Sequence, residues 1–139
     1  MKNKIMQIIN FFTVIVIVGC SSPINEKVDF PFEVINTIPS PKNKDISIII
    51  IKTGIKGGAT VPFEYEFYFS KNDETLSRNK LFLWLRGLEN YKINWTSANT
   101  IDIDINASRV IMFQSDILIE EDTGNLLEYY VNNLSWNRN

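Results

Sequence analysis

The feature that most restricts the fold is a segment, residues 60–69, in which large apolar and polar side chains alternate. Its apolar positions are Val61, Phe63, Tyr65, Phe67 and Phe69. Glu64, Glu66 and Tyr68 lie between them. Because successive side chains of a strand point to opposite faces, this period of two predicts a half-buried antiparallel strand. A shift of one residue would expose the whole apolar set, so the sequence specifies the register strongly.

Two other segments are apolar on both faces. Residues 46–52 form a nearly continuous run of isoleucine, which favours a central strand covered on both sides. Residues 80–85 are also apolar at successive positions and predict a second buried strand.

Two alternating segments follow one another closely and predict a hairpin. Tyr91, Ile93 and Trp95 alternate with polar residues, and the isoleucines of 101–105 alternate with Asp102 and Asp104. The link between the two segments is short and polar, as is typical of a hairpin connection.

The C-terminal third contains further short segments of strand type. Residues 109–114 and 117–121 predict two more short strands. Residues 126–134 are ambiguous, because their apolar positions also fit one face of a helix. Gly124 suits a hairpin turn and the sequence Tyr-Tyr-Val favours sheet, so we prefer a strand and leave a short C-terminal helix open.

Together these patterns predict a mainly β fold. We expect a single antiparallel sheet domain of six to eight strands, arranged as a sandwich or a curled sheet. The roughly 120 residues that follow the N-terminal segment are enough for one domain with a hydrophobic core. Domains of this type act through loops or an exposed sheet face.

The first twenty residues have a different character. Lys2 and Lys4 precede an apolar stretch over residues 5–18, which is shorter than the about 20 residues that a spanning helix needs. Ile17-Val18-Gly19-Cys20 follows and resembles the lipobox of bacterial lipoproteins. The alternatives are an N-terminal membrane helix, or a signal peptide whose cysteine is there by chance.

The lipobox resemblance implies a lipid modification and a cellular location. It implies that residues 1–19 are a signal peptide cleaved between Gly19 and Cys20. It also implies a diacylglyceryl thioether on Cys20 and usually acylation, for example by palmitate, of the new amino group. Ser21 follows the cysteine where an aspartate would often retain a lipoprotein in the inner membrane. The resemblance therefore implies the outer membrane, facing the periplasm, in a cell with two membranes.

Residues 20–45 contain four of the five prolines of the chain and predict a tether between the lipidated cysteine and a β domain over 46–139. Within this tether, the apolar alternation of 28–35 predicts an edge segment, since proline is tolerated at an edge and not at a sheet centre. We expect 21–27 and 36–45 to be loose.

The inventory of reactive groups excludes several kinds of site. The chain has no histidine, and Cys20 is its single cysteine. Nucleophilic catalysis with a histidine base and most zinc or copper sites are therefore unavailable. Removal of Lys2 and Lys4 with the leader leaves 12 basic and 16 acidic residues, a net charge of −4 that is poorly suited to nucleic acid. We expect no metal and no cofactor.

The acidic pairs Glu64/Glu66 and Asp102/Asp104 are the remaining candidates for acid–base chemistry. We interpret both as solvated faces of half-buried strands, so that Glu66→Lys should be nearly neutral and no enzyme activity is expected. For ligand binding, the candidates are Trp136, in a polar C-terminal segment, and the two aspartates. We expect Trp95 to be in the core.

Two longer strings resemble small uncharacterised bacterial lipoprotein and membrane-anchored families. They are Gly57-Gly58-Ala59-Thr60 ahead of a strand, and Trp95 followed by polar residues and a second alternating strand. This resemblance spans residues 46–106 and implies no activity and no site residues. We therefore expect an envelope lipoprotein with a non-catalytic protein-binding or structural role. The alternatives are an immunity-type inhibitor of a toxin and a module that binds a glycan or another small ligand.

Overall fold

The computed structural model describes residues 26–54, 62–72, 74–120 and 124–138. These residues form seven strands and one short 3₁₀ turn. The strands are β1 (Glu33–Pro39), β2 (Ile46–Thr53), β3 (Glu64–Lys71), β4 (Leu81–Trp95), β5 (Thr100–Phe113), β6 (Asp116–Glu120) and β7 (Leu126–Asn137). The 3₁₀ turn, Arg78–Lys80, precedes β4. Within the described ranges, no helix has the length and apolar character needed to cross a bilayer.

All seven strands belong to one sheet in the order β1-β2-β3-β4-β5-β7-β6, which confirms the mainly β, single-sheet prediction. The sheet is mixed rather than purely antiparallel, because β7 lies between β5 and β6 and runs parallel to β5. β6 also contacts β3 and β4, its distant neighbours in the strand order. The sheet therefore curls, and its concave face encloses the core.

The concave face carries the main hydrophobic core. Its fully buried side chains include Ile48, Ile50, Phe67, Phe69, Phe82, Leu85, Ile101 and Ile103. Ile48 pairs with Phe69 and Ile50 pairs with Phe67 across β2 and β3, so the predicted apolar face of 60–69 points inward over the described part, β3. The prediction of a central, doubly covered β2 is confirmed, since Ile51 on its other face is also fully buried.

The convex face carries a second, smaller layer. Residues 26–32 cross the outer side of β2 and β3, where the backbone N–H of Val28 donates to the carbonyl of Leu76 (3.0 Å) and that of Arg78 donates to the carbonyl of Glu26 (2.9 Å). Val28 and Phe30 pack against a cluster of four buried side chains: Ile51, Tyr68, Leu76 and Leu81.

This second layer corrects the prediction for β3. The sequence predicted a half-buried strand, whereas Glu66 is 1% exposed and Tyr68 is 0% exposed. The outer face is covered because residues 26–32 and the segment around the 3₁₀ turn pack over it. The polar face of β3 is therefore not a solvated face, because Glu66 and Tyr68 are buried with hydrogen-bond partners.

Residues 33–39 form the edge strand β1, so the predicted loose segment 36–45 is wrong over 36–39. The predicted loose segment 21–27 is wrong at 26 and 27, where Glu26 accepts a hydrogen bond from Arg78 and Lys27 forms a bridge with Ser77. The folded sheet begins inside the range assigned to the tether. Among the described residues, β1 pairs with β2 alone and its side chains are mostly exposed. The prediction of an edge segment over 28–35 is therefore confirmed for 33–35 and wrong for 28–32, which cover the outer side of the sheet. Pro39 closes the strand, which is a position that tolerates the missing N–H.

The hairpin of β4 and β5 is confirmed by the pairs Trp95–Ile101 and Ile93–Ile103. The prediction of separate short strands over 80–85 and 109–114 is wrong, whereas the predicted strand 117–121 is confirmed as β6 over 117–120. Residues 81–95 are one strand, and 109–113 continue β5. The apolar pattern of the sequence is interrupted near Gly87. The register between β4 and β5 shifts on both sides of Gly87, and the two strands remain paired across the interruption.

The C-terminal segment is strand β7, which confirms the preferred interpretation and rules out the helical alternative for Leu126–Asn137. Tyr129 (1% exposed) and Val131 (7% exposed) face the core. The segment is a strand and not a helix because β7 fills the gap between β5 and β6, and both neighbours supply hydrogen bonds.

Gly87 provides a test of the β4–β5 geometry. Its φ is +61°, and a Cβ at this position would clash with Oγ of Ser108, which itself donates to the carbonyl of Arg86. We expect Gly87→Ala to destabilise the protein by about 2–3 kcal/mol, of which the left-handed backbone accounts for about 1–2 kcal/mol. Urea unfolding measures the loss.

Gly124→Ala is the matched control. Gly124 has a φ of +80°, but no atom of the described residues lies within 4 Å of its added Cβ. We expect this control to cost only the backbone strain. Equal losses in the two variants would contradict the close contact with Ser108.

Candidate functional site

A cleft of about 440 Å³ opens on the convex face, between the segment 26–32 and the adjoining ends of β2, β3 and β4. Its walls combine aromatic, apolar and charged side chains. They are Phe30, Pro31, Thr53, Gly54, Glu64, Glu66, Arg78 and Trp84.

Strand register places the charged groups of this cleft. Glu64 lies opposite Arg86, and Glu66 lies opposite Trp84, across the antiparallel pair β3–β4. Paired residues of neighbouring strands point to the same face, so all four side chains lie on the convex side. Arg78 comes from the 3₁₀ turn that leads into β4.

Glu66 is the most deeply buried of these groups. Arg78 donates from Nη1 to Oε1 of Glu66 at 2.9 Å, and the Tyr68 hydroxyl donates to Oε2. Burial and the neighbouring Glu66 carboxylate raise the pKa of Tyr68 well above its ordinary value. The tyrosine therefore stays protonated and acts as a donor, and both oxygens of Glu66 are used within the protein.

Glu64 is half-buried, and both of its carboxylate oxygens accept hydrogen bonds. The indole Nε1 of Trp84 donates to Oε2 of Glu64 at 3.1 Å. Arg86 donates to Oε1 from both Nε, at 3.1 Å, and Nη2. Charge-assisted hydrogen bonds of this type fix geometry strongly, so the carboxylate and the indole are held in place.

Aromatic rings complete the cleft. The guanidinium carbon of Arg78 lies 4.8 Å from the ring centre of Phe30 and 6.0 Å from that of Trp84. Both distances are within the range of cation–π attraction. Arg78 thus connects the crossing segment, the buried Glu66 and the wall formed by Trp84.

This arrangement suits binding better than acid–base chemistry. Each carboxylate of the cleft is already engaged with an arginine and a second donor. In the ranges that the structure describes, no group of three or more acidic, histidine or cysteine side chains is placed to hold a metal ion.

The predicted acidic pairs have different outcomes. The interpretation of Glu66 as solvated is wrong, because it is buried in the cleft beside Glu64. Asp104 is exposed and Asp102 is half-buried on the outer face of β5, where Asp102 accepts a hydrogen bond from Nδ2 of Asn132 (3.0 Å).

The predicted ligand-binding residues are not brought together. Trp136 is 43% exposed, as expected, but it belongs to β7 and donates from Nε1 to the carbonyl of Ala107 (2.9 Å). It pairs with Ile105, which faces the core, so Trp136 lies on the opposite face from Asp102 and Asp104. Gly19, Cys20 and the glycines at 57 and 58 lie outside the described residues.

The tryptophans show what sequence reasoning missed. Trp95 packs against the core beside Phe69 and Tyr129, as predicted. Trp84 instead lines the cleft with Arg78 and Phe30, and none of these three was predicted as a site residue. The signal in the sequence was weak. Trp84 and Arg86 are two positions apart on one strand and face Glu66 and Glu64 of another.

In comparisons with known proteins, no family model, no curated protein and no solved structure matches the chain.

Proposed function

We propose that this chain is a lipid-anchored protein of the bacterial cell envelope whose sheet domain binds a ligand or a protein partner without catalysis. The observation that carries the binding role is the cleft, in which both glutamates are held by arginines and aromatic groups form the walls. The lipobox-like residues Ile17 to Cys20 support the anchor.

The length of the tether supports an envelope role close to the bilayer. Residues from Glu26 onward belong to the folded unit, because Glu26 and Val28 are hydrogen-bonded to the segment around the 3₁₀ turn. The chain from Cys20 to Glu26 spans at most about 20 Å when fully extended. Phe30 is a wall of the cleft, so the cleft lies on the part of the domain that the anchor holds near the membrane.

A lipid anchor of this type is firm. A single acyl chain gives marginal membrane binding, whereas two or three chains, at about 0.8 kcal/mol per buried CH₂, hold a protein stably. The proposal places the domain at the outer membrane, facing the periplasm, in a cell with two membranes.

A protein partner is the second candidate, and exposed apolar residues on β6 and β7 favour it. Leu118 is 56% exposed and Leu126 is 63% exposed. Asp116 and Glu120 flank Leu118 on the same face of β6. An acidic rim around apolar side chains fits a partner surface that is apolar and basic.

Substitution of Cys20 by serine tests the anchor. The thioether cannot form on a hydroxyl side chain, so we expect Cys20→Ser to lose acyl labelling completely. The variant should accumulate uncleaved or appear in the soluble periplasmic fraction. Metabolic labelling with a fatty acid and membrane fractionation measure both effects. Labelling and membrane recovery equal to those of the unsubstituted chain would overturn the proposal.

A further inference from the structure

We infer that the cleft binds a neutral, hydroxyl-rich ligand of the saccharide class. This inference rests on the proposed non-catalytic binding role and names its ligand. The residues that carry it are Phe30, Glu64, Glu66, Arg78 and Trp84.

The charge balance of the cleft selects a neutral ligand. Glu66 is paired with Arg78, and Glu64 is paired with Arg86, which is not itself a wall of the cleft. Two carboxylates and two guanidiniums thus compensate one another. Each group of the cleft that would attract a charged ligand is already paired with a group of opposite charge. That second group has the same sign as the ligand and would repel it. Such a ligand would be repelled by one member of each ion pair, and the pair Glu66–Arg78 is held together with its carboxylate buried.

The hydrogen-bonding groups of the cleft select hydroxyls. A carboxylate offers about four lone-pair sites and a guanidinium five N–H donors. Glu64, whose side chain is 22% exposed, and Arg78 therefore keep hydrogen-bonding capacity beyond their internal partners, whereas Glu66 is buried. Arg78 engages Glu66 through Nη1, and 31% of its side chain is exposed. Donors and acceptors therefore lie side by side on fixed groups. A hydroxyl can donate to one and accept from the other, which a carbonyl or an ammonium group cannot do.

The apolar walls fit the C–H faces of a sugar ring. Phe30 and Trp84 line the cleft, and Trp84 is fixed by its hydrogen bond to Glu64. Rigid aromatic side chains supply contact area at low entropic cost. The volume of about 440 Å³ is within the range of roughly 300–1,000 Å³ that small-ligand sites occupy. A pyranose combines apolar ring faces with a hydroxyl rim, as this cleft requires.

The charge dependence of binding tests this inference. The full chain, in a detergent without a sugar head group, would be titrated with two neutral trisaccharides, triacetylchitotriose and maltotriose. Unacetylated chitotriose provides a cationic relative and trigalacturonate an anionic one. We expect at least one neutral trimer to bind, at least tenfold more tightly than either charged trimer and with little dependence on salt. Isothermal titration calorimetry measures all four.

Variants then locate the binding. Trp84→Ala should weaken the neutral trimer at least tenfold, and Trp84→Phe, which retains a ring, should weaken it less. The control is Tyr130→Ala, an exposed aromatic residue on β7 outside the cleft, which should bind as the unsubstituted chain does. Thermal unfolding shows whether each variant is folded. If Trp84→Ala is unfolded, the phenylalanine variant decides.

The outcomes separate this inference from the proposed function. Binding of neither neutral trimer would overturn the saccharide class, and tighter binding of a charged trimer would overturn the charge argument. Both results would leave a non-catalytic binding role intact. Cleavage of a bound trimer, seen by chromatography, would instead overturn the non-catalytic role. Unchanged affinity in folded Trp84→Ala would remove the cleft as the site.

Discussion

Glu66→Lys is expected to destabilise the protein by about 3–5 kcal/mol, the usual cost of breaking a buried ion pair. Glu66 is 1% exposed and accepts hydrogen bonds from Arg78 and Tyr68. The substitution removes both acceptors and places a second cation beside the guanidinium. Because a domain of this size is stable by only about 5–15 kcal/mol, the loss should be visible as a large fall in the urea midpoint.

Glu120→Lys is the matched control for this charge reversal. Glu120 is exposed on β6, so its substitution should change stability by no more than about 0.5 kcal/mol. Glu66→Gln keeps the shape of the side chain and should cost less than the lysine. If Glu66→Lys were as mild as the control, the convex layer over β3 would be wrong.

Phe67→Asp is expected to leave the protein largely unfolded. Phe67 is 0% exposed and makes edge-to-face contacts with Phe82 (ring centres 6.2 Å apart) and Tyr91 (5.8 Å). Loss of a buried phenylalanine alone costs about 3–5 kcal/mol, and an unpaired carboxylate in its place adds a desolvation penalty. Far-UV circular dichroism and tryptophan fluorescence measure the unfolded fraction.

Phe113→Asp tests whether the loss of stability in Phe67→Asp comes from the buried position of Phe67 and not from the exchange of phenylalanine for aspartate as such. Phe113 is 40% exposed at the end of β5, so its carboxylate would remain hydrated. We expect this variant to be folded with a loss well below that of Phe67→Asp. A folded Phe67→Asp variant, or equal losses at the two positions, would contradict the assignment of the concave face as the core.

The inward face of the sheet could be predicted from the sequence because hydrophobic burial leaves a local pattern. The alternation around Phe67 sets the register of β3, and the isoleucines of β2 identify a strand covered on both faces. The hairpin of β4 and β5 followed from two alternating segments and a short link. Each of these patterns is contained in a few neighbouring residues.

The convex layer and the cleft could not be predicted in the same way. The burial of Glu66 depends on Arg78 and on residues 26–32, which are distant from it in sequence. A buried, paired glutamate on an alternating strand has the same sequence pattern as a solvated one. The parallel pairing of β7 with β5 could not be predicted either, because it depends on the strand order and not on the periodicity of β7 itself.

The mass of the N-terminal tryptic peptide tests the central claim, the lipid anchor on Cys20, most directly. Cleavage before Cys20 and trypsin cleavage after Lys27 would give a peptide of residues 20–27. In protein purified from membranes, we predict this peptide with a diacylglyceryl group on Cys20 and, in most cells, an acyl chain on its amino group. A peptide from the membrane-bound protein that still joins Gly19 to Cys20, or that carries Cys20 as a free thiol, would contradict the account.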